Sequence, residues 1–421
     1  MHMNKKEKTT LVPRLRFPEF VSNGAIVYKN GNLIFEPISN KNHNSDLPVL
    51  AITQEYGAIP RDHIDYNVSV TDKSLEGYKV VEIGDFIISL RSFQGGIEYS
   101  MYHGICSPAY IILRKKVDIV DQYYKQYFKT SRFIQDLNKD LEGIRDGKMV
   151  SYSQFSSILL PKPDKKEQQK IADCLSSLDH LISAESNKLL ELRNHKKGLM
   201  QKLFPVDGEI VPQWRFPEFR NLGPWTIKTI GQISKNIIAG GTPSTLKSEY
   251  WNGLIKWMSS GELNLKRVYE VSGRVTELGL KKSSTKLIPM QCVLIGLAGQ
   301  GKTRGTVAMN MVDLCVNQSI AAIFPNAKVF DSDFLYHNLD NRYYELRQLS
   351  KGDGGRGGLN LQIIKSLIIA LPSIDEQQKI ANCLSNVDEM ITVQIANIEA
   401  LKQHKIALIQ SLFPSNQGVV E

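Results

Sequence analysis

Apolar side chains return at alternating intervals of four and three residues along two stretches of this chain. In the first, Ile171, Leu175, Leu178, Ile182, Leu189, Leu192, Leu199 and Leu203 form a stripe broken only by Glu185 and Lys196. In the second, Ile380, Leu384, Val387, Ile391, Ile398, Leu401, Leu408 and Leu412 repeat the stripe, broken at the same two places by Gln394 and Lys405. A period near three and a half residues puts each set on one narrow helical face, a seam that calls for a single partner helix. The stretches are copies of one another: residues 167–205 and 376–414 share 19 of 39 positions, opening with EQQKIA and closing with LFP. Each is expected as a helix of roughly 55 Å, at about 1.5 Å per residue, stopped by Pro205 or Pro414. The copies are each other's obvious partners. Pairing them antiparallel with Glu185 facing Lys405 and Lys196 facing Gln394 gives each seam lysine an acceptor. Lysines that merely snorkel from the seam edge are the plainer alternative.

A shorter phrase is duplicated too, VPRLRFPEF from Val12 and VPQWRFPEF from Val211. Between phrase and helix lie two long stretches that have diverged. In the first, PVLAI from Pro48, KVVEI from Lys79, DFIISL from Asp85 and AYIIL from Ala109 read as strands, and residues 119–137 as a closing helix. In the second, CVLIGL from Cys292 and SIAAIF from Ser319 read as strands, and residues 333–349 as the corresponding helix. The expected fold is mixed α/β (α+β), two globular heads on a pseudo-twofold frame of two long antiparallel helices. The division is an N-terminal phrase (1–20), a first head (21–163), a central spacer helix (164–205), a linker with the repeated phrase (206–219), a second head (220–372), a distal spacer helix (373–414) and a tail (415–421).

Composition narrows the function. The chain carries 52 Lys+Arg against 43 Asp+Glu, a formal charge of +9 with pI near 9.1, which favours a polyanionic partner. No apolar run approaches about 18 residues and the N-terminus lacks the apolar core of a signal peptide, so a soluble cytoplasmic protein without a membrane partner is expected. The five cysteines, Cys106, Cys174, Cys292, Cys315 and Cys383, contain no C-x-x-C pair, and the histidines show no metal-ligand spacing, so no metal site is expected. Nor is a catalytic set visible.

One motif points elsewhere. Residues 296–303, GLAGQGKT, satisfy the G-x-x-x-x-G-K-[ST] pattern of a nucleotide-binding loop and follow an apolar strand. However, Arg304-Gly305-Thr306-Val307 is a poor helix start, and the helix N-terminus that would hold phosphates is therefore not expected. The equivalent loop of the first head, RSFQGG, lacks the motif. A basic Gly-rich loop that touches DNA fits better.

Two diverged heads, duplicated helices opening with EQQKIA, an RFPEF phrase before each head, and GGTPST followed by YWNGLIKWM in residues 240–258 together resemble the specificity subunit of type I restriction-modification systems. The resemblance covers nearly the whole chain. The first head departs from it, lacking the GGTPST and YW phrases. It implies a DNA-recognition subunit without its own catalytic site. Each head would be a target-recognition domain reading one half of an asymmetric bipartite site in double-stranded DNA. It further implies two methyltransferase subunits recruited by the spacer helices and restriction or motor subunits beyond them. S-adenosylmethionine, ATP and magnesium would then reside on those partners, and no cofactor on this chain. The rival readings are a coiled-coil scaffold with incidental basic charge and an ATPase built on residues 296–303.

Arg and Gln contact base edges bidentately, whereas Lys, Ser and Thr more often hold phosphates. On those grounds the DNA-contact candidates in the first head are Arg61, Arg91, Ser92, Gln94, Arg145 and Lys148. In the second they are Thr242, Ser244, Lys281, Lys282, Gln300, Lys302, Thr303, Arg304 and Arg356.

Overall fold

A computed structural model describes residues 12–43, 46–64, 75–139, 150–206, 208–234, 236–299, 302–349 and 358–414. The chain forms two compact units, one of residues 1–186 with 396–421 and one of residues 187–395. Both duplicated stretches are continuous helices, Lys165–Leu203 and Ile374–Leu412, and each contributes one half to each unit.

In the first unit Ile171 and Leu175, near the start of the central helix, share a core with Leu408 and Leu412, near the end of the distal one. In the second unit Leu199 and Leu203 share a core with Ile380 and Leu384. Start against end in both places makes the pair antiparallel. Ile171, Leu175, Leu203, Ile380, Leu384 and Leu412 are fully buried, whereas Leu178, Ile182, Leu189 and Leu192 are half-buried, as a two-helix seam requires.

The seam lysines do find acceptors, but not those expected. Lys405 Nζ lies 2.6 Å from Asp179, and Lys196 Nζ 2.6 Å from Asp388. In each case the acceptor stands six residues before the Glu185 or Gln394 of the expected register. A heptad pattern looks the same after a slip of about one heptad, so apolar spacing cannot choose between the two. The heads choose. Gln126 of the first head donates to Asp179 at 2.9 Å. At the matching place in the second head, His337 packs with Nε2 3.1 Å from Ser385 and Nδ1 3.9 Å from Asp388.

Each repeated phrase forms the same kind of clamp within its own unit. Arg16 binds Glu167 through two bonds of 2.7 and 2.8 Å, and Arg215 binds Glu376 through two of 2.8 and 2.5 Å. Glu19 and Glu218 each pair with the EQQK lysine, Lys170 or Lys379, at 3.2 Å. Those lysines also sit 5.6 Å from the rings of Phe17 and Phe216. One residue earlier, the backbone N–H of Leu15 donates to Ser411 and that of Trp214 to Lys202. Each phrase thus ties the start of one long helix to the end of the other. Behind the clamp, Gln168 and Gln377 accept from the backbone of the head, at Val120 and Asp331, and donate to Pro163 and Pro372.

Each head contains an antiparallel sheet with a shared strand order. In the first head it runs Phe35–Ile38, Ile111–Lys115, Phe86–Ile88, Glu98–Tyr99. In the second it runs Ile237–Ala239, Ile320–Ile323, Val293–Gly296, Val307–Asn310, with Arg267–Val268 added parallel at the edge. The closing helix expected over 119–137 is two helices, Asp121–Tyr127 and Ser131–Asn138, because the Thr130 hydroxyl caps a new start by accepting from Phe133 N. Its counterpart breaks likewise into Ser332–Asn341 and Tyr343–Leu349.

His337 has a pH consequence. Burial, with Lys196 and Arg267 next, pushes its pKa well below the usual histidine value, so it stays neutral in the folded unit. Unfolded histidine gains a proton below about pH 6.5, so the unfolded state binds more protons there and stability falls as pH drops through that value. The slope is up to about 1.4 kcal/mol per pH unit until the folded histidine titrates. His337→Gln, which copies Gln126, should lower the difference between urea midpoints at pH 7.5 and pH 5.5; an unchanged difference would remove His337 from the account.

Candidate nucleic-acid interface

In the first head Arg61 opens the short 3-10 helix Arg61–His63 after the hairpin Leu50–Thr53/Gly57–Pro60, while Arg91 leads into the turn Ser92–Gly95. Both cations favour the ionised form of the Tyr110 phenol. Burial nevertheless raises the pKa of Tyr110. Lys79 completes the cluster, its ammonium 2.7 Å from the Tyr110 carbonyl and its pKa drawn down by burial. Among the described residues, Arg61 Nη1 is buried without a hydrogen-bond partner. Gln94 is exposed on the neighbouring turn. Ser92 is a correction: it is buried, and its Oγ accepts from Ser89 N at 2.8 Å, so the hydroxyl shapes the turn and does not face a phosphate. Arg145 and Lys148 lie outside the described residues.

The second-head candidates fall into two groups. Thr242 and Ser244 belong to the loop before Trp251–Met258; the Thr242 hydroxyl bonds Gln318, and Ser244 is exposed, its carbonyl accepting from Trp251 Nε1 at 3.1 Å. Lys281 and Lys282 are exposed at the end of the helix Glu277–Lys281, whose Gly279 sits against the Tyr250 backbone so closely that a Cβ would lie 2.5 Å from its carbonyl.

Lys302 and Thr303 belong to the other group, with Arg304 following. The Lys302 carbonyl accepts from Thr306 Oγ1 at 2.6 Å and from the Tyr343 hydroxyl at 3.1 Å. A cleft of about 480 Å³ beside them is lined by Lys266, Lys302, Asp340, Tyr343, Tyr344 and Arg347. Gln300 and Arg356 lie outside the described residues. After Lys302 the chain turns and runs into the strand Val307–Asn310, antiparallel to Val293–Gly296, with Gly305 N bonded to the Gly296 carbonyl. A nucleotide-binding loop needs a helix N-terminus at that point. The described residues 297–299 and 302–306 therefore lie between two antiparallel strands, as does the Ser92–Gly95 turn between Phe86–Ile88 and Glu98–Tyr99.

Tyr110, Lys79, Lys266 and Arg347 escaped the sequence reading, because nothing in their local sequence separates them from ordinary surface or core residues. Among the described residues, no cluster of His, Cys, Asp or Glu could hold a metal, and no helix is long and apolar enough to cross a membrane. Burial raises the thiols of Cys106 and Cys292 to about 12 and that of Cys315 to about 11, leaving them protonated at neutral pH.

Known proteins share this architecture. The chain is 28% identical over 260 residues to the type I restriction enzyme EcoR124I/EcoR124II specificity subunit of Escherichia coli, a match over 59% of this chain and 60% of that protein. It is 24% identical over 380 residues to the type I restriction enzyme MjaVIII specificity subunit of Methanocaldococcus jannaschii, covering 82% of this chain and 81% of that one. The fold matches the crystal structure of a type I restriction-modification S subunit from M. genitalium with a TM-score of 0.57 at 15% identity, over 96% of this chain and 100% of that one. The model of the type I restriction modification DNA specificity domain matches twice, over residues 19–194 and 223–403, and the chain belongs to that family.

Proposed function

We propose that this chain is the DNA-recognition subunit of a type I restriction-modification complex, each head reading one half of an asymmetric bipartite site in double-stranded DNA. The observation that carries the reading is a frame built twice from repeated parts with the same clamp, bearing two heads with a shared strand order and unlike loops. Two unlike readers on a repeated frame suit a site with two unlike halves. The chain acts by binding, and the chemistry belongs to partners that carry S-adenosylmethionine, ATP and magnesium.

The frame also supports two copies of a methyltransferase subunit. Val12 and Val211, Leu15 and Trp214, and Leu159 and Ile368 are matched pairs in the two units, and all six are exposed apolar residues. A partner that covers one set finds the same set again. Restriction or motor subunits and a cytoplasmic setting complete the proposal.

Long-read methylome mapping of cells carrying the cognate methyltransferase, with and without this chain, tests it. Adenine methylation at a split motif with two unlike halves, present only with the chain, is the expected result. Co-purification of the two proteins without any new methylated motif would overturn it in favour of a scaffold.

A further inference from the structure

In each head the shared sheet meets the closing helices through a cation set over an aromatic ring, and the two heads divide the parts in opposite ways. In the second head the cation comes from the sheet. The Arg267 guanidinium, on the edge strand, lies 4.3 Å from the ring of Tyr336 on the helix Ser332–Asn341. In the first head it comes from the helix. Lys125 Nζ, on Asp121–Tyr127, lies 5.6 Å from the ring of Tyr99 on the edge strand Glu98–Tyr99.

The positions correspond. His337 stands where the first head has Gln126, so Tyr336 and Lys125, one residue earlier, are counterparts. Tyr99 pairs with Phe86 as Met309 pairs with Val293. Arg267 pairs with Met309 on its other side, with Nη1 3.7 Å from the Met309 sulfur. A ring on the helix thus goes with a cation on the sheet, and a lysine on the helix goes with a ring on the sheet. The contact, and not either side chain, is what the two heads have in common.

Both contacts lead to the long helices. The Arg267 guanidinium bonds Asp333 and donates to Ser385 Oγ of the distal helix at 3.4 Å. Next to Lys125, Gln126 donates to Asp179 of the central helix. Tyr336 is buried and Arg267, Lys125 and Tyr99 are half-buried, so each cation–ring contact is stronger than an exposed one.

Under the recognition role proposed above, a head that rocks on its helices carries its half-site with it. For a head with a radius of gyration of about 14 Å, a tilt of about 14° moves a point at that distance by about 3.4 Å, one base-pair step. We propose that Arg267 with Tyr336, and Lys125 with Tyr99, are equivalent joints made of positioning residues. They hold each head at one tilt on the long helices and so restrict the complex to one gap between the half-sites.

The test uses the full chain with its methyltransferase subunits on duplexes that keep both mapped half-sites and vary the gap by one base pair either way. The wild-type complex should prefer one gap. Arg267→Met and, separately, Lys125→Met should reduce that preference about ten-fold, with the bases read in both halves unchanged. Arg267→Tyr combined with Tyr336→Lys, which reverses the polarity as in the first head, should recover part of it. A wild-type complex indifferent to the gap, an undiminished preference in the methionine variants, altered base preference in either half, or a double variant no better than Arg267→Met would each overturn the joints. If Arg267→Met does not assemble, Lys125→Met, which leaves the second head untouched, decides by the same criteria. Failure of the wild-type complex to prefer any bipartite site would instead sink the recognition role itself.

Discussion

Arg215→Ala lowers the midpoint of tryptophan-reported thermal unfolding by about 10 °C. All four tryptophans, Trp214, Trp225, Trp251 and Trp257, lie in the second unit, so their fluorescence reports that unit. The Arg215 and Glu376 side chains are 7% and 1% exposed, and the guanidinium also donates to the carbonyls of Leu222 and Gly223 at 2.9 and 3.1 Å. Removing the arginine leaves the Glu376 carboxylate buried without its counter-charge, a change that costs about 3–5 kcal/mol. For a unit near 200 residues each kcal/mol moves the midpoint by about 2–4 °C. Glu376→Gln in the same background removes the stranded charge and should recover part of the loss. A single-variant shift below about 3 °C would mean that water reaches Glu376 and that the clamp adds little.

Asp388→Ala weakens the second unit by about 2–3 kcal/mol, measured as a fall in urea midpoint at constant slope. The carboxylate receives the Lys196 ammonium and faces the buried His337 ring. Lys196 is 14% exposed and Asp388 28%, so partial solvation brings the figure below that of the Arg215–Glu376 pair. Lys196→Met combined with Asp388→Ala should be more stable than Asp388→Ala alone, because no charge is then left on the seam. If the double variant is no better than the single one, Asp388 acts through His337 and not through Lys196. The counterpart pair, Lys405 with Asp179, has Gln126 in place of the histidine, so Asp179→Ala should show no matching change in pH dependence between pH 7.5 and 5.5.

Much of the frame is legible in the residues alone because it is duplicated. Asp179 and Asp388, Lys196 and Lys405, and the Arg and Glu residues of both clamps are all identities between the copies. Their pairing was legible too, in hindsight: RFPEF offers cation, ring and anion in the order that EQQK answers with anion and cation. The contact candidates fared unevenly for a physical reason. Side chains with DNA-binding chemistry can be listed from sequence, but whether they face outward depends on turns. Ser92 was captured by its own turn, whereas Gln94, two residues on, is exposed.

The sequence by itself determined the two long helices, the repeated frame and the mixed heads, since periodicity and duplication are properties of the chain's own order. Tertiary structure alone decided three further things. It chose the helix register, because a heptad seam is nearly degenerate under a slip of one repeat and only the head contacts at Asp179 and Asp388 and the phrase clamps break the tie. It placed the described residues 297–299 and 302–306 between the antiparallel strands Val293–Gly296 and Val307–Asn310, so among the described residues no helix begins where a phosphate loop needs one. It raised Leu254 into solvent, because a bulge reverses the alternation that would otherwise have turned an apolar residue inward.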